Sequence, residues 1–388
     1  MNKHRNTTEN LESLAKSGTI LNNLYTLPVC TPSRAALLTG IYPFRYGLQR
    51  GFGDFIPNGL PTSLMLLPGY LQQLGYKTHM LGKWHLGHCD TRYTPKYRGF
   101  DTFLGSYSGA VDHWTRMGGI NKGNKRGYDL RNGTDVSYFG KGLYSSELYS
   151  RLAVDIIKKS REPYFLYVSL TMVHAPFQDV EKRNSAHAQP TAWMRGRMLK
   201  AMDNAVGKIA NAIDESASSK NTLLVFMSDN GAKLFRGIKP NYPLKGGKAS
   251  VYEGGTRVPG FIRGAGISKG KHYSGLMHIV DWTPTLIKLA GGIIPAGLDG
   301  LDQTESLWRD YRSPRTRMVY NIDEGGMLGI TSKQEAKWQI GVRIGNHKLV
   351  SGSPKMLKRD DSNKGFHYHI CIYFSLIFLV LVFQSLQM

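Results

Sequence analysis

The chain has 388 residues, 41% of them hydrophobic, with 50 Lys and Arg against 28 Asp and Glu and a formal net charge of +22. Length and apolar content suffice for one large domain with a smaller appendage and argue against disorder, while the charge favours acidic partners: nucleic acid, anionic membrane or sulfated polysaccharide. Cys30, Cys89 and Cys371 are too few and too scattered for a disulfide framework, and no pair has the CxxC spacing of a zinc or redox centre.

In chain order, residues 1–9 are polar and hold none of the apolar core that an export signal requires. Residues 10–16 and 62–74 carry apolar positions at helical spacing, the second with Pro61 suited to a first turn. Residues 77–81 read as a strand. The densest basic stretch, Arg116, Lys122, Lys125, Arg126 and Arg131, lies among glycines and asparagines. It reads as a solvated loop or a rim contacting polyanions, and without a nucleic-acid-binding fingerprint no nucleic-acid partner is expected. Sequons at Asn6 and Asn132 carry weight only in a secretory compartment. Helices are predicted over 145–159, 192–213 and 281–289, the last with Pro284 in its first turn, and buried parallel strands over 164–171 and 222–227. This alternation argues for an α/β sheet. Residues 338–350 form a hairpin pattern around Gly345-Asn346, in a small subdomain that begins near residue 315. The apolar run 370–383 is shorter than the roughly 17–25 residues of a membrane-spanning helix. A buried strand or helix, or an aberrant terminus, is favoured over membrane association through that run. The expected divisions are 1–314, 315–365 and an atypical hydrophobic tail, 366–388.

Ligands of open α/β sheets bind beyond the carboxyl ends of the strands, so the polar residues there are the candidates. Lys83, Trp84 and His85 follow strand 77–81; His174, Ala175 and Pro176 follow strand 164–171. Asp229 and Asn230 follow strand 222–227 and offer oxygens suited to a hard divalent cation. Lys248 ends the loop Lys245-Gly246-Gly247-Lys248. Each feature alone has an ordinary structural reading, a turn, a solvated loop or a core histidine. A cavity holding Arg34, Lys83, His85, His174 and Lys248 would bind a tetrahedral oxyanion through charge-assisted hydrogen bonds. In residues 29–40, Ser33 can cap a helix whose positive end lies near Cys30.

Cys30-Thr31-Pro32-Ser33-Arg34 followed by Leu37-Leu38-Thr39-Gly40 resembles the signature of type I, formylglycine-dependent sulfatases, and Gly82-Lys83-Trp84-His85-Leu86-Gly87 resembles their second motif. Arylsulfatase B-like enzymes are the nearest subgroup, which Pro243-Leu244-Lys245-Gly246-Gly247-Lys248, Glu253-Gly254-Gly255, His278-Ile279 and Asp281-Trp282-Thr283-Pro284-Thr285 also match in order. The likeness covers roughly residues 10–350 and implies an alkaline-phosphatase-like mixed sheet flanked by helices, with a small C-terminal antiparallel subdomain.

The resemblance further implies that a formylglycine-generating enzyme oxidises Cys30, and that the resulting hydrate attacks the sulfur of a sulfate ester in two covalent steps. It assigns Arg34 and Lys83 to holding the modified residue and metal, His85 to base catalysis, and His174 with Lys248 to sulfate and the departing oxygen. The implied cofactor is one Ca2+ on Cys30, Asp229, Asn230 and two early aspartates. No Asp-Asp pair precedes Cys30. The resemblance therefore predicts a site short of two carboxylates and a sheet short of its first strand, as in an incomplete or inactive member. A lysosomal or secreted location and a sulfated small-molecule or polysaccharide substrate are inherited expectations. A catalytically inactive oxyanion or polyanion binder, and a phosphoester hydrolase of the same architecture, are the competing readings.

Overall fold

The computed structural model describes residues 7–51, 53, 56–118, 127–181, 191–235, 240–323, 339–351 and 376–383. Its centre is a ten-stranded mixed sheet. The strands Lys77–Lys83, Thr102–Ser106 and Tyr164–Leu170 are mutually parallel, and Thr222–Ser228 runs in the same sense. Every residue of Tyr164–Leu170 and of Thr222–Ser228 is buried, as expected of strands covered on both faces.

Alternation along these strands divides the core into two layers. Phe165, Tyr167, Leu223 and Val225 pack with Ala35, Leu38, Leu71 and Leu286 from the helices Cys30–Thr39, Leu67–Gln73 and Trp282–Leu289. Leu166, Val168, Leu224 and Phe226 pack on the other face with Leu11, Ala153, Met202 and Ile209 from Glu9–Lys16, Ser145–Lys159 and Ala192–Asp214. A mixed sheet flanked by helices is thus the fold. A separate antiparallel sheet of Arg317–Asp323, Gln339–Ile344 and His347–Ser351 follows, its last turn made by Gly345 at φ +53 and Asn346.

Three local expectations are corrected. The helix expected over 62–74 is confined to Leu67–Gln73, because Leu66 is extended and Pro68, not Pro61, occupies the first turn. Ser33 does not cap its helix, which already begins at Cys30; its hydroxyl instead donates to the Leu27 carbonyl at 2.9 Å and accepts the Leu27 N–H at 3.1 Å. Arg116 is not solvated: it is buried and donates to the carbonyls of His113 and Leu143. Lys122, Lys125 and Arg126 lie outside the described residues, as do Asn6 and Cys371.

The apolar run near the C-terminus supplies the strand Leu376–Val382, seated between Tyr164–Leu170 and Thr222–Ser228 and antiparallel to both. Ile377, Leu379 and Leu381 join one core layer, Val380 and Val382 the other. This strand therefore belongs to the main sheet, not to a separate tail. Among the described residues, no helix is long and apolar enough to cross a membrane. Leu379→Asp places a carboxylate in the middle of this core and is expected to destabilise the protein by more than about 3 kcal/mol. Urea denaturation measures it, and an unchanged midpoint would contradict the strand's central position.

Candidate active site

The carboxyl ends of the three strands Lys77–Lys83, Tyr164–Leu170 and Thr222–Ser228 bring the predicted residues to one rim. Cys30 is buried at the first position of Cys30–Thr39, where the unsatisfied N–H groups of the helix favour negative charge. Lys248 Nζ lies 3.1 Å from Cys30 Sγ and 3.2 Å from His174 Nε2. His174 Nδ1 lies 2.8 Å from the Ala175 carbonyl oxygen. A carbonyl can only accept, so Nδ1 carries the proton and Nε2 presents its lone pair to the Lys248 ammonium. Burial, with Lys248 and Lys83 nearby, lowers the His174 pKa well below the ordinary histidine value and keeps the ring neutral.

Burial alone would raise the Cys30 thiol, but Lys248, Lys83 and Arg34 outweigh it and bring the pKa down to about 5. The site is thus built to hold an anion at this position. Lys83 is fully buried, and its ammonium has no hydrogen-bond partner among the described residues. Burial lowers its pKa to about 8, with Cys30 opposing that fall. His85 adopts a left-handed backbone, φ 61, and its ring lies against Gly109, where a Cβ would stand 2.5 Å from Nε2.

Arg34 occupies a different place from the other cations. Its Nε and one terminal nitrogen donate to Asp229 Oδ2 at 3.1 and 3.0 Å, and the other donates to the Lys83 carbonyl, Tyr167 and Ser169. Tyr167 and Ser169 were not singled out from the sequence; their signal is a pair of polar groups two apart, hence on one face, in an otherwise apolar strand. Burial and the Cys30 charge raise the Asp229 carboxyl while Arg34 pulls it down.

Asp229 Oδ1 and Asn230 Oδ1 are buried acceptors without hydrogen-bond partners among the described residues. These two oxygens suit a hard cation in chemical kind, whereas the Cys30 sulfur is a soft donor and would do so only once oxidised to an oxygen-bearing group; a cation there would favour the ionised carboxylate. In number they fall short, because Ca2+ takes about six to eight oxygens, and no group of three His, Cys, Asp or Glu able to hold a metal is found among the described residues.

The family model described as Sulfatase matches residues 1–293. The chain belongs to the sulfatase family. It is similar to arylsulfatase J of Mus musculus, 35% identical over 369 residues covering 89% of this chain and 60% of that protein. N-acetylgalactosamine-6-sulfatase of Homo sapiens is 31% identical over 341 residues, 81% of this chain and 64% of that one. The sulfatase-family chain thus spans under two thirds of the length of these relatives. Among solved structures, Ps i-CgsB superposes with a TM-score of 0.74 at 29% identity over 88% of this chain and 78% of that one. Its complex with k-i-k-neocarrahexaose gives 0.73 at 28% identity and the same coverage.

Two substitutions probe this site in the sulfatase-family chain. Lys248→Met removes the cation bonded to Cys30 and is expected to move the onset of Cys30 alkylation by iodoacetamide from pH about 5 to higher pH; the sign follows because an anion that loses a cation is harder to form. Peptide mass spectrometry across pH reads it. Arg34→Ala leaves Asp229 buried without its partner and is expected to cost about 3–5 kcal/mol in urea denaturation.

Proposed function

We propose that this chain, carrying formylglycine at position 30, hydrolyses sulfate esters, with sulfated sugars as the favoured substrate class and aryl sulfates as surrogates. The observation that carries this reading is the contact line from Cys30 Sγ through Lys248 Nζ to His174 Nε2 at a helix N-terminus. A formylglycine hydrate at position 30 would supply the nucleophilic hydroxyl, and Asp229 and Asn230 with that residue would hold a divalent cation, whose chemistry when bound would be Lewis-acid polarisation.

The chain's own residues supply the rest. Lys83 and Lys248 neutralise the nonbridging sulfate oxygens, where negative charge grows as the ester bond breaks. Lys248 faces both residue 30 and His174, and so stands where it can donate a proton to the departing alcohol oxygen. His174 holds that ammonium through its Nε2 lone pair. His85 takes up the proton released at residue 30. Arg34 keeps Asp229 oriented, a supporting role rather than an anion-binding one. The +22 charge favours a polyanionic substrate, and Ps i-CgsB, 28% identical, has been solved with a neocarrahexaose. A formylglycine-generating enzyme as maturation partner, and a lysosomal or secreted location, belong to the same proposal.

A second reading, an oxyanion or polyanion binder without turnover, is favoured by one observation: only two unpartnered acceptor oxygens, of Asp229 and Asn230, mark the cation position among the described residues. Co-expression with a formylglycine-generating enzyme, mass spectrometry of the Cys30 peptide and an arylsulfate assay with calcium separate the two. The expected outcome is conversion of Cys30 and turnover that Cys30→Ala abolishes and Lys248→Ala lowers about 10²–10³-fold. Conversion without turnover, but with sulfate-dependent thermal stabilisation, would establish the binder instead.

A further inference from the structure

His113 does not appear in any of the motifs above, yet all of its polar atoms are engaged in one buried network. Its N–H donates to Gln178 Oε1 at 2.6 Å, and Gln178 Nε2 donates to Asp112 Oδ2 at 2.8 Å. Its carbonyl accepts from the Ser145 N–H and from Arg116. Its ring is stacked on Tyr144 with centroids 5.2 Å apart. The ring nitrogens are the informative part. Nε2 faces the carbonyl oxygen of His174 at 3.2 Å, so Nε2 carries the proton, and Nδ1 then accepts from the Ser145 hydroxyl at 2.8 Å.

The His174 peptide is therefore gripped from outside while its own ring is tied to the next carbonyl, that of Ala175. Together these bonds leave the ring one orientation, with Nε2 toward Lys248. An ordinary core histidine satisfies its nitrogens wherever partners exist. Here the partner is the backbone of a residue whose ring faces the reacting position.

We propose that His113, backed by Gln178 and Asp112, is the positioning residue that fixes His174 against Lys248. This inference deepens the sulfate-ester reading and rests on it for its kinetic consequence. A misplacement on the order of 1 Å at a reacting group costs about 10²-fold in rate, and a positioning defect lowers kcat rather than raising KM.

The test uses the full chain with formylglycine installed, comparing wild type with His113→Phe, which retains the stacking on Tyr144, and His113→Gln, whose amide can still donate to the His174 carbonyl. Arylsulfate kcat per folded site is expected to fall about 10²-fold in the Phe variant, with KM little changed, and to recover in part in the Gln variant. The nitrogen-15 signals of the His174 ring, assigned by difference with His174→Gln, provide a readout independent of turnover. They should report a single tautomer protonated at Nδ1 in wild type and a mixture in His113→Phe. Reduced folding yield with unchanged kcat and unchanged His174 signals would overturn the proposal and leave His113 a packing residue. If wild type shows no turnover, the sulfatase reading fails separately and the ring signals alone decide the positioning role.

Discussion

Arg34 is the side chain on which the geometry of the site depends, because its one guanidinium joins groups that the chain brings from distant places. It starts on the helix Cys30–Thr39, donates to the last residue of Lys77–Lys83, to Tyr167 and Ser169 in Tyr164–Leu170, and to Asp229 just past Thr222–Ser228. Each of these bonds is buried, where an unmet donor or charge is costly and a bidentate, planar cation is the group best able to meet several acceptors at once. The distance from Cys30 to Asp229 is therefore set through a single residue four positions along the same helix. A lysine of equal charge could not make these bonds in one plane.

The small C-terminal sheet reaches the same site by another route. Lys348 donates to Glu253 Oε1 at 2.8 Å and Tyr25 donates to Oε2 at 2.9 Å, while Arg343 donates to the Tyr25 hydroxyl and Lys348 sits 3.8 Å from the centre of the Tyr320 ring. Burial raises the Glu253 carboxyl, yet Lys348, Tyr25 and Arg343 together bring it below the ordinary range, so the carboxylate is held ionised. Glu253 opens the short helix Glu253–Thr256. The Gly254 N–H returns to the Lys245 carbonyl, and the Gly231 N–H to that of Gly255. Lys248 and the Asp229-Asn230 turn are thus braced by a sheet whose described residues lie away from Cys30 and contact the site through Glu253. Gly231 admits no side chain here, since a Cβ would stand 1.9 Å from the Gly254 carbonyl oxygen.

Much of this was legible because chemistry at strand ends leaves a local trace. Lys83, His174 and Asp229 each follow an apolar run that can be read from composition alone, and the structure brings them to one rim with Cys30 and Lys248. What stayed hidden depends on long-range partners. Ser33 is a local exception: it has the composition of a cap, but its hydroxyl is claimed by Leu27 six residues back, and the helix starts at Cys30. Tyr167 and Ser169 read as strand filler until Arg34 arrives from more than a hundred residues away. The run at 370–383 declared its apolar character and its insufficient length for a membrane helix, but no periodicity in it could reveal which two strands it joins or in which direction.

That direction has a consequence for how the molecule is made. The strand Leu376–Val382 is the last of the main sheet along the chain, yet it lies between two strands completed long before it, with Phe378 paired to both Phe226 and Val168. Without this strand the facing edges of Tyr164–Leu170 and Thr222–Ser228 would be unpaired, and such edges are templates for pairing with another chain. Pairings separated by so many residues also form slowly. Closing the middle of the sheet thus depends on a strongly apolar segment that lies far along the chain from both of its neighbours. A lesion confined to this one strand would therefore open the sheet at its centre, and the expected consequence is association between molecules as well as lost stability.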